Sequence, residues 1–216
     1  MEPEENSKEE PEEKIDSKIK VAIVYIFELL KIAVVSLIII VPIRTFVFQP
    51  FFVQGASMEP NFHDGEYLIV NEFGYKKTVV GTEEKKFFTV NSFKDISRKE
   101  VIVFRNPKNP KEYFIKRVIG LPGDRIEIKD GEVILYNEEN PQGGILDESD
   151  YLVKMLHNTE CLDQCVFEVK ADEFLVFGDN RKYSSDSRSW GVLPSEFVVG
   201  KVLLRAWPFD KIKIFN

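Results

Sequence analysis

The run from Val21 to Ile43 leaves this chain few options. It is close to the ~20 apolar residues that a helix needs to cross a bilayer. In hydrocarbon a single segment can satisfy all its backbone N–H and C=O groups only as a helix. Glu28 and Lys31 interrupt the run three residues apart, on one helical face, where they can pair. An unpaired charge at mid-bilayer would cost about 2.5–3.5 kcal/mol. Mutual pairing reduces that cost, and so does a span shifted toward Ile32; the reading adopted is a span with both charges near its inner third. A cleavable export signal is the competing reading, but its apolar region should be only ~7–15 residues and end at a small-residue cleavage site. Here the run continues into Pro42-Ile43-Arg44-Thr45-Phe46 without an Ala-x-Ala.

Three segments follow: an acidic tail over 1–18, the anchor over 19–44, and an outer domain over 45–216. The tail is polar and short of apolar residues, so disorder is expected. Lys14, Lys18 and Lys20 precede the span, while Glu59, Asp64 and Glu66 follow it. The positive-inside rule then puts the tail in the cytoplasm and everything beyond Arg44 outside.

From Phe46 onward the pattern is short alternating strands separated by turns, and few segments reach helical length. Asp130-Gly131 between two alternating runs is a hairpin signal. The expected fold is mainly β, with antiparallel sheets in a barrel-like core behind one transmembrane helix. Residues 73–96 and 139–165 fit that core poorly and read as excursions, the second with a short helix near Ser149 to Leu156. A net charge of -7 disfavours nucleic acid as a partner. Two cysteines are too few for a disulfide framework. Cys161 and Cys165 leave three readings open: a disulfide, free thiols, or a metal face shared with His157 that lacks a fourth ligand.

Three stretches carry chemistry. Val53-Gln54-Gly55-Ala56-Ser57-Met58-Glu59-Pro60 sets a serine on irregular backbone between glycine and proline. Tyr113-Phe114-Ile115-Lys116-Arg117-Val118-Ile119-Gly120 is a strand pattern with a lysine inside it, sharing a face with Phe114 and Val118 while Arg117 points the other way. The segment from Phe177 through Gly178-Asp179-Asn180-Arg181 to Ser184, Asp186, Arg188 and Gly191 is too polar for core. A lone Ser57 would be a turn serine, and a lone Lys116 an edge lysine reaching water; together they suit a Ser-Lys hydrolase. His63 and His157 have no setting that suggests a Ser-His-Asp triad.

With the anchor, the Arg98-to-Phe104 block and Gly120-Leu121-Pro122-Gly123-Asp124, these motifs stand in the order found in the type I signal peptidases, which the chain resembles over most of its length. The resemblance implies a membrane-bound serine protease in which Ser57 is the nucleophile, activated by Lys116 as general base. It also implies that Ser184 hydrogen-bonds and orients the lysine, and that Asp186 and Arg188 pair to support the loop, with Asp179 similar in kind. The Ser57 backbone N–H should supply one oxyanion donor. Gly55 stands where some members carry a second, a hydroxyl. Two more departures are Asn61-Phe62 after Pro60 in place of Thr-Leu, and Lys99-Glu100 in place of Gly-Asp.

By the same resemblance, Phe51, Val53 and Ile115 should line shallow apolar pockets that accept small residues of the Ala-x-Ala type; plain core packing is equally compatible with these residues. Implied partners are signal-peptide-bearing preproteins, the bilayer and, in transit, the secretion machinery; no cofactor or metal is implied. A self-cleaving Ser-Lys repressor would need a DNA-binding segment, which an apolar anchor with an acidic tail does not provide. A non-catalytic β domain that binds exported proteins would not need Ser57, Lys116 and Ser184 together.

Overall fold

The computed structural model describes residues 11–75, 78–81, 86–152, 159–161 and 165–215. It divides into two units, Met1–Thr45 and Phe46–Asn216. The first holds α1 (Pro11–Phe46). At 1.5 Å per residue α1 is about 54 Å long, more than the ~30 Å of a hydrocarbon core. Its side chains from Lys20 to Pro42 are exposed, apart from the half-buried Ser36, and lipid is the solvent that suits such a surface. Lys31 donates to Glu28 at 3.1 Å, so the two charges pair within the span. The helix also takes in residues 11–18, which composition assigns to a disordered tail. Pro11 at the first helical position, with Glu12 and Glu13 in the first turn, is a favourable helix start.

The second unit is built from strands. These are β1 (Phe48–Phe52), β2 (Tyr67–Asn71), β3 (Thr78–Gly81), β4 (Lys86–Val90), β5 (Val101–Asn106), β6 (Asn109–Gly120) and β7 (Arg125–Lys129). There follow β8 (Glu132–Tyr136), β9 (Gly144–Ile145), β10 (Val166–Glu168), β11 (Glu173–Phe177), the short helix α2 (Ser187–Trp190), β12 (Leu193–Pro194), β13 (Val198–Trp207) and β14 (Lys213–Ile214). The large sheet runs β1-β2-β13-β5-β6-β11-β12, with β14 beside β13. A second sheet runs β10-β7-β8-β9, and β3 pairs β4 alone. Asp130 and Gly131 both have positive φ, 53° and 84°, the tight turn expected between β7 and β8.

The sheets do not close into the barrel-like core that the strand pattern suggests. The large sheet is open, from edge strand β1 to edge strand β12. Alternation reports which face of a strand is buried; it carries nothing about whether the first and last strands meet.

Strand β5 shows how the core is arranged. Val101 and Val103 pack with Val53, Met58 and Phe62, while Ile102 and Phe104 pack on the opposite face with Val118, Val176 and Leu193. A third cluster, with Ile119, Ile126, Val133, Phe167 and Phe177, joins the two main sheets. The second half of the helix expected near Ser149 to Leu156 falls on residues 153–156, outside the described ones. Tyr151 and Leu152 do turn back there, donating to the Glu148 carbonyl at 3.2 and 2.8 Å. Cys161 and Cys165 form a disulfide, which takes both thiols away from the metal face drawn with His157; that histidine lies outside the described residues.

Candidate active site

Beyond β1 the chain leaves the sheet at Val53 and makes a tight excursion that returns at Glu66. Val53 N–H donates to Glu66 O at 2.9 Å and Gly65 N–H to Val53 O at 3.0 Å, which closes the base of the loop. Asp64 accepts from Gly55 N–H at 2.7 Å. Within the loop Met58 and Phe62 are fully buried, so the backbone on the C-terminal side of Ser57 is anchored in the core. A serine on so short a tether has little freedom to move.

Lys116 lies on β6, between β5 and β11. Its Nζ lies 2.7 Å from Ser57 Oγ and donates to the Ile115 carbonyl at 2.9 Å. The Phe114 ring centroid is 5.5 Å away, in line with the face expected from alternation. Burial disfavours the ammonium and brings its pKa from 10.5 down to about 8, against the opposing fields of Asp186 and Asp179. The amine thus sits in hydrogen-bond contact with a serine hydroxyl and gives up its proton more readily than an ordinary lysine.

The segment from Gly178 to Gly191 braces both groups. Asn180 N–H donates to Ser57 O and its side-chain Nδ2 to Ala56 O, each at 3.0 Å, so one residue grips the peptide groups on both sides of Ser57. Asp186 caps α2, accepts from Gly178 N–H at 2.9 Å, and takes a two-point ion pair from Arg188 at 2.8 and 2.9 Å. Both partners are buried, and Arg188 also donates to the Arg181 carbonyl at 2.6 Å. Asp179 accepts two bonds from Arg117 at 2.8 and 2.6 Å.

One implied contact is not made. Ser184 Oγ is buried without a hydrogen-bond partner among the described residues, and so makes no bond to Lys116 here. The lysine's second hydrogen bond goes to the Ile115 carbonyl instead. Ser184 does pack tightly here, since a Cβ on Gly178 would lie 2.2 Å from its Oγ and 2.5 Å from the Ser57 carbonyl. Only glycine fits at 178.

Several supporting residues were not singled out from sequence. Alternation places Arg117 only on the face away from Lys116, yet it pairs with Asp179 and donates to the Lys99 carbonyl at 2.7 Å. Arg181 is buried and bonds Glu148 and Thr159, while Tyr151 donates to Glu148. Burial, reinforced by the Glu148 carboxylate, raises the pKa of the Tyr151 hydroxyl and keeps it protonated. Asn61 Nδ2 reaches both Tyr151 and Asp179. The polarity of these residues was visible, but partners so far apart in the chain left no local pattern.

A cleft of about 230 Å³ opens beside the pair. Phe51, Val53 and Ile115 line it, as expected, with Ser57, Lys116 and Tyr113. Phe51 and Tyr113 lie ring to ring, centroids 5.2 Å apart. The wall beside the hydroxyl–amine pair is therefore largely aromatic and aliphatic.

Comparison with known proteins places the chain in a family. The family model described as signal peptidase, peptidase S26, matches residues 26–207. Signal peptidase IB of Staphylococcus aureus strain Mu50 is 34% identical over 190 residues, covering 83% of this chain and 88% of the relative. A Synechocystis protein named "Probable signal peptidase I-2" is 32% identical over 195 residues, covering 88% and 77%. A solved signal peptidase I from Enterococcus faecalis V583 is 28% identical, covers 51% of this chain and 98% of its own, and superposes with a TM-score of 0.38. With its membrane-length helix, its β-rich domain and a family match over most of its length, the chain belongs to the signal peptidases, the S26 family of serine proteases.

Proposed function

We propose that Ser57 and Lys116 are the nucleophile and general base of a membrane-anchored endopeptidase that removes signal peptides from exported preproteins. The observation that carries this reading is the 2.7 Å contact between the buried Lys116 amine and Ser57 Oγ. In the neutral state the amine lone pair takes the hydroxyl proton as Oγ attacks the scissile carbonyl carbon. The tetrahedral oxyanion is held by the Ser57 backbone N–H. On collapse the C–N bond breaks, the leaving amine takes the proton from the Lys116 ammonium, and an acyl-enzyme remains. Water, deprotonated by the same amine, then attacks the ester and frees Ser57.

The cleft supports a preference for small side chains before the cut, of the Ala-x-Ala type, because Phe51, Val53 and Ile115 leave an apolar space of limited volume. An extended substrate segment lies beside β1, where backbone bonds give affinity and the pockets give choice. The lysines before the span support a cytoplasmic tail and an outer catalytic domain, with the bilayer and the secretion machinery as neighbours.

The test is incubation of the detergent-solubilised protein with a preprotein, followed by sequencing of the new N-terminus. Wild type should release a mature chain beginning just after a small residue. Ser57→Ala and Lys116→Ala should each abolish release while remaining folded. Normal turnover by either variant would sink the assignment.

A further inference from the structure

Asn61 stands four residues after Ser57, in the same loop, where the resembled pattern has threonine. Its single side-chain nitrogen is 2.7 Å from the Tyr151 carbonyl and 2.9 Å from Asp179 Oδ2. Both neighbours are acceptors, so both amide hydrogens are used and the orientation of the carboxamide is fixed. The contacts close a circuit. The Tyr151 ring lies 4.1 Å from the Arg117 guanidinium, and Arg117 holds both oxygens of Asp179. Arg117 directly follows the base, Lys116. Asp179 is thus the point at which the nucleophile loop and the base strand are tied together. A threonine hydroxyl has one hydrogen and could not donate to both acceptors.

We propose that Asn61 is a positioning residue, whose carboxamide fixes where the Asp179 carboxylate and the nucleophile loop sit relative to Lys116. The inference rests on the Ser57–Lys116 reading. The charges facing Lys116 are the carboxylates of Asp186 and Asp179. Arg188 neutralises the first. Arg117 neutralises the second, with Arg181 also in its field and itself paired to Glu148. Donation from Asn61 draws further negative charge from Asp179, and its loss strengthens the field that keeps Lys116 protonated.

The experiment measures kcat, KM and the pH profile of kcat/KM for Asn61→Leu, Asn61→Asp and Asn61→Thr in the full chain, with Ser57→Ala as control. The leucine variant removes both donors at similar size. Its kcat should fall about tenfold, with KM held within about twofold. Its acid limb should move up by about half a pH unit. Aspartate adds a charge and should move the limb further, while threonine restores one donor and should lie between wild type and leucine. Wild-type kcat and limb in the folded variants overturn the proposal. So does a lower kcat with an unmoved limb, the mark of a merely structural role. If the leucine variant fails to fold, the threonine variant decides by the same two readouts. Normal cleavage by Ser57→Ala would instead bring down the dyad reading itself.

Discussion

A lysine can act as a base only where its charged form is made costly, and Lys116 bears that cost in the folded state. Its pKa falls from 10.5 to about 8, which corresponds to about 3 kcal/mol of disfavoured ammonium. Two outcomes follow. First, kcat/KM should climb about tenfold per pH unit below ~8 and level off above it, because the free enzyme must lose that proton before Ser57 is activated. A flat profile between pH 6 and 9, measured on a synthetic signal-peptide substrate, would exclude Lys116 as the titrating base. Second, wild-type stability should rise as pH climbs from about 8 toward 10.5. In that window the unfolded chain still binds the proton that the folded chain has lost. Lys116→Met removes the ionisable group but also two hydrogen bonds, each worth about 1 kcal/mol. At pH 7 it should be more stable than wild type by roughly 1–2 kcal/mol, and by pH 10.5 the order should reverse, with the variant less stable by about 1–2 kcal/mol because only the lost hydrogen bonds then count. Urea unfolding at both pH values checks this; a variant less stable at pH 7 would mean that the lysine is not held at a cost.

At the scale of the element, Lys99 shows a local misfit held in place by its surroundings. It opens the turn into β5 with φ 71°, a left-handed conformation that glycine adopts freely and other residues at a cost of about 1–2 kcal/mol. Its N–H donates to the Val118 carbonyl at 2.8 Å, and its carbonyl accepts from Arg117, so the backbone must stay there. The side chain makes a partly exposed 3.2 Å pair with Asp150, worth about 0–1 kcal/mol. Lys99→Gly should therefore gain about 0.5 kcal/mol or more by denaturant titration; a loss above ~1 kcal/mol would show that the Asp150 contact dominates.

Departures like Lys99 were legible because they stand inside a recognisable pattern. Strands β7 and β8 were legible too, since alternation and Asp130-Gly131 specify them locally. The β3–β4 hairpin was not, because no turn signal marks residues 82–85. Sheet closure could not be read either, as it depends on edges far apart in the chain. At the site, Ser57 and Lys116 stood out by residue type and motif. The contacts of Asn61, Tyr151 and Arg181 arise only when separate segments meet.

For the whole molecule, the anchor and the β domain call for opposite solvents, and the proposed orientation rests on the lysines before the span. A protease added to intact cells or right-side-out vesicles should digest the chain beyond Arg44 and spare the tail. Protection of the carboxy-terminal part would reverse the topology and remove the exported-substrate reading. The open sheet has one more consequence, carried by its two borders. Pro50 sits in the middle of β1 and Pro194 ends β12, and each lacks an N–H. A long strand from another molecule cannot zip along either border without leaving an acceptor unanswered, which guards against fibrous self-association. The same gap in β1 shortens the run over which any bound peptide can be gripped. For a substrate segment beside β1, as proposed above, that gap leaves one backbone bond fewer and should speed release of the cleaved fragment.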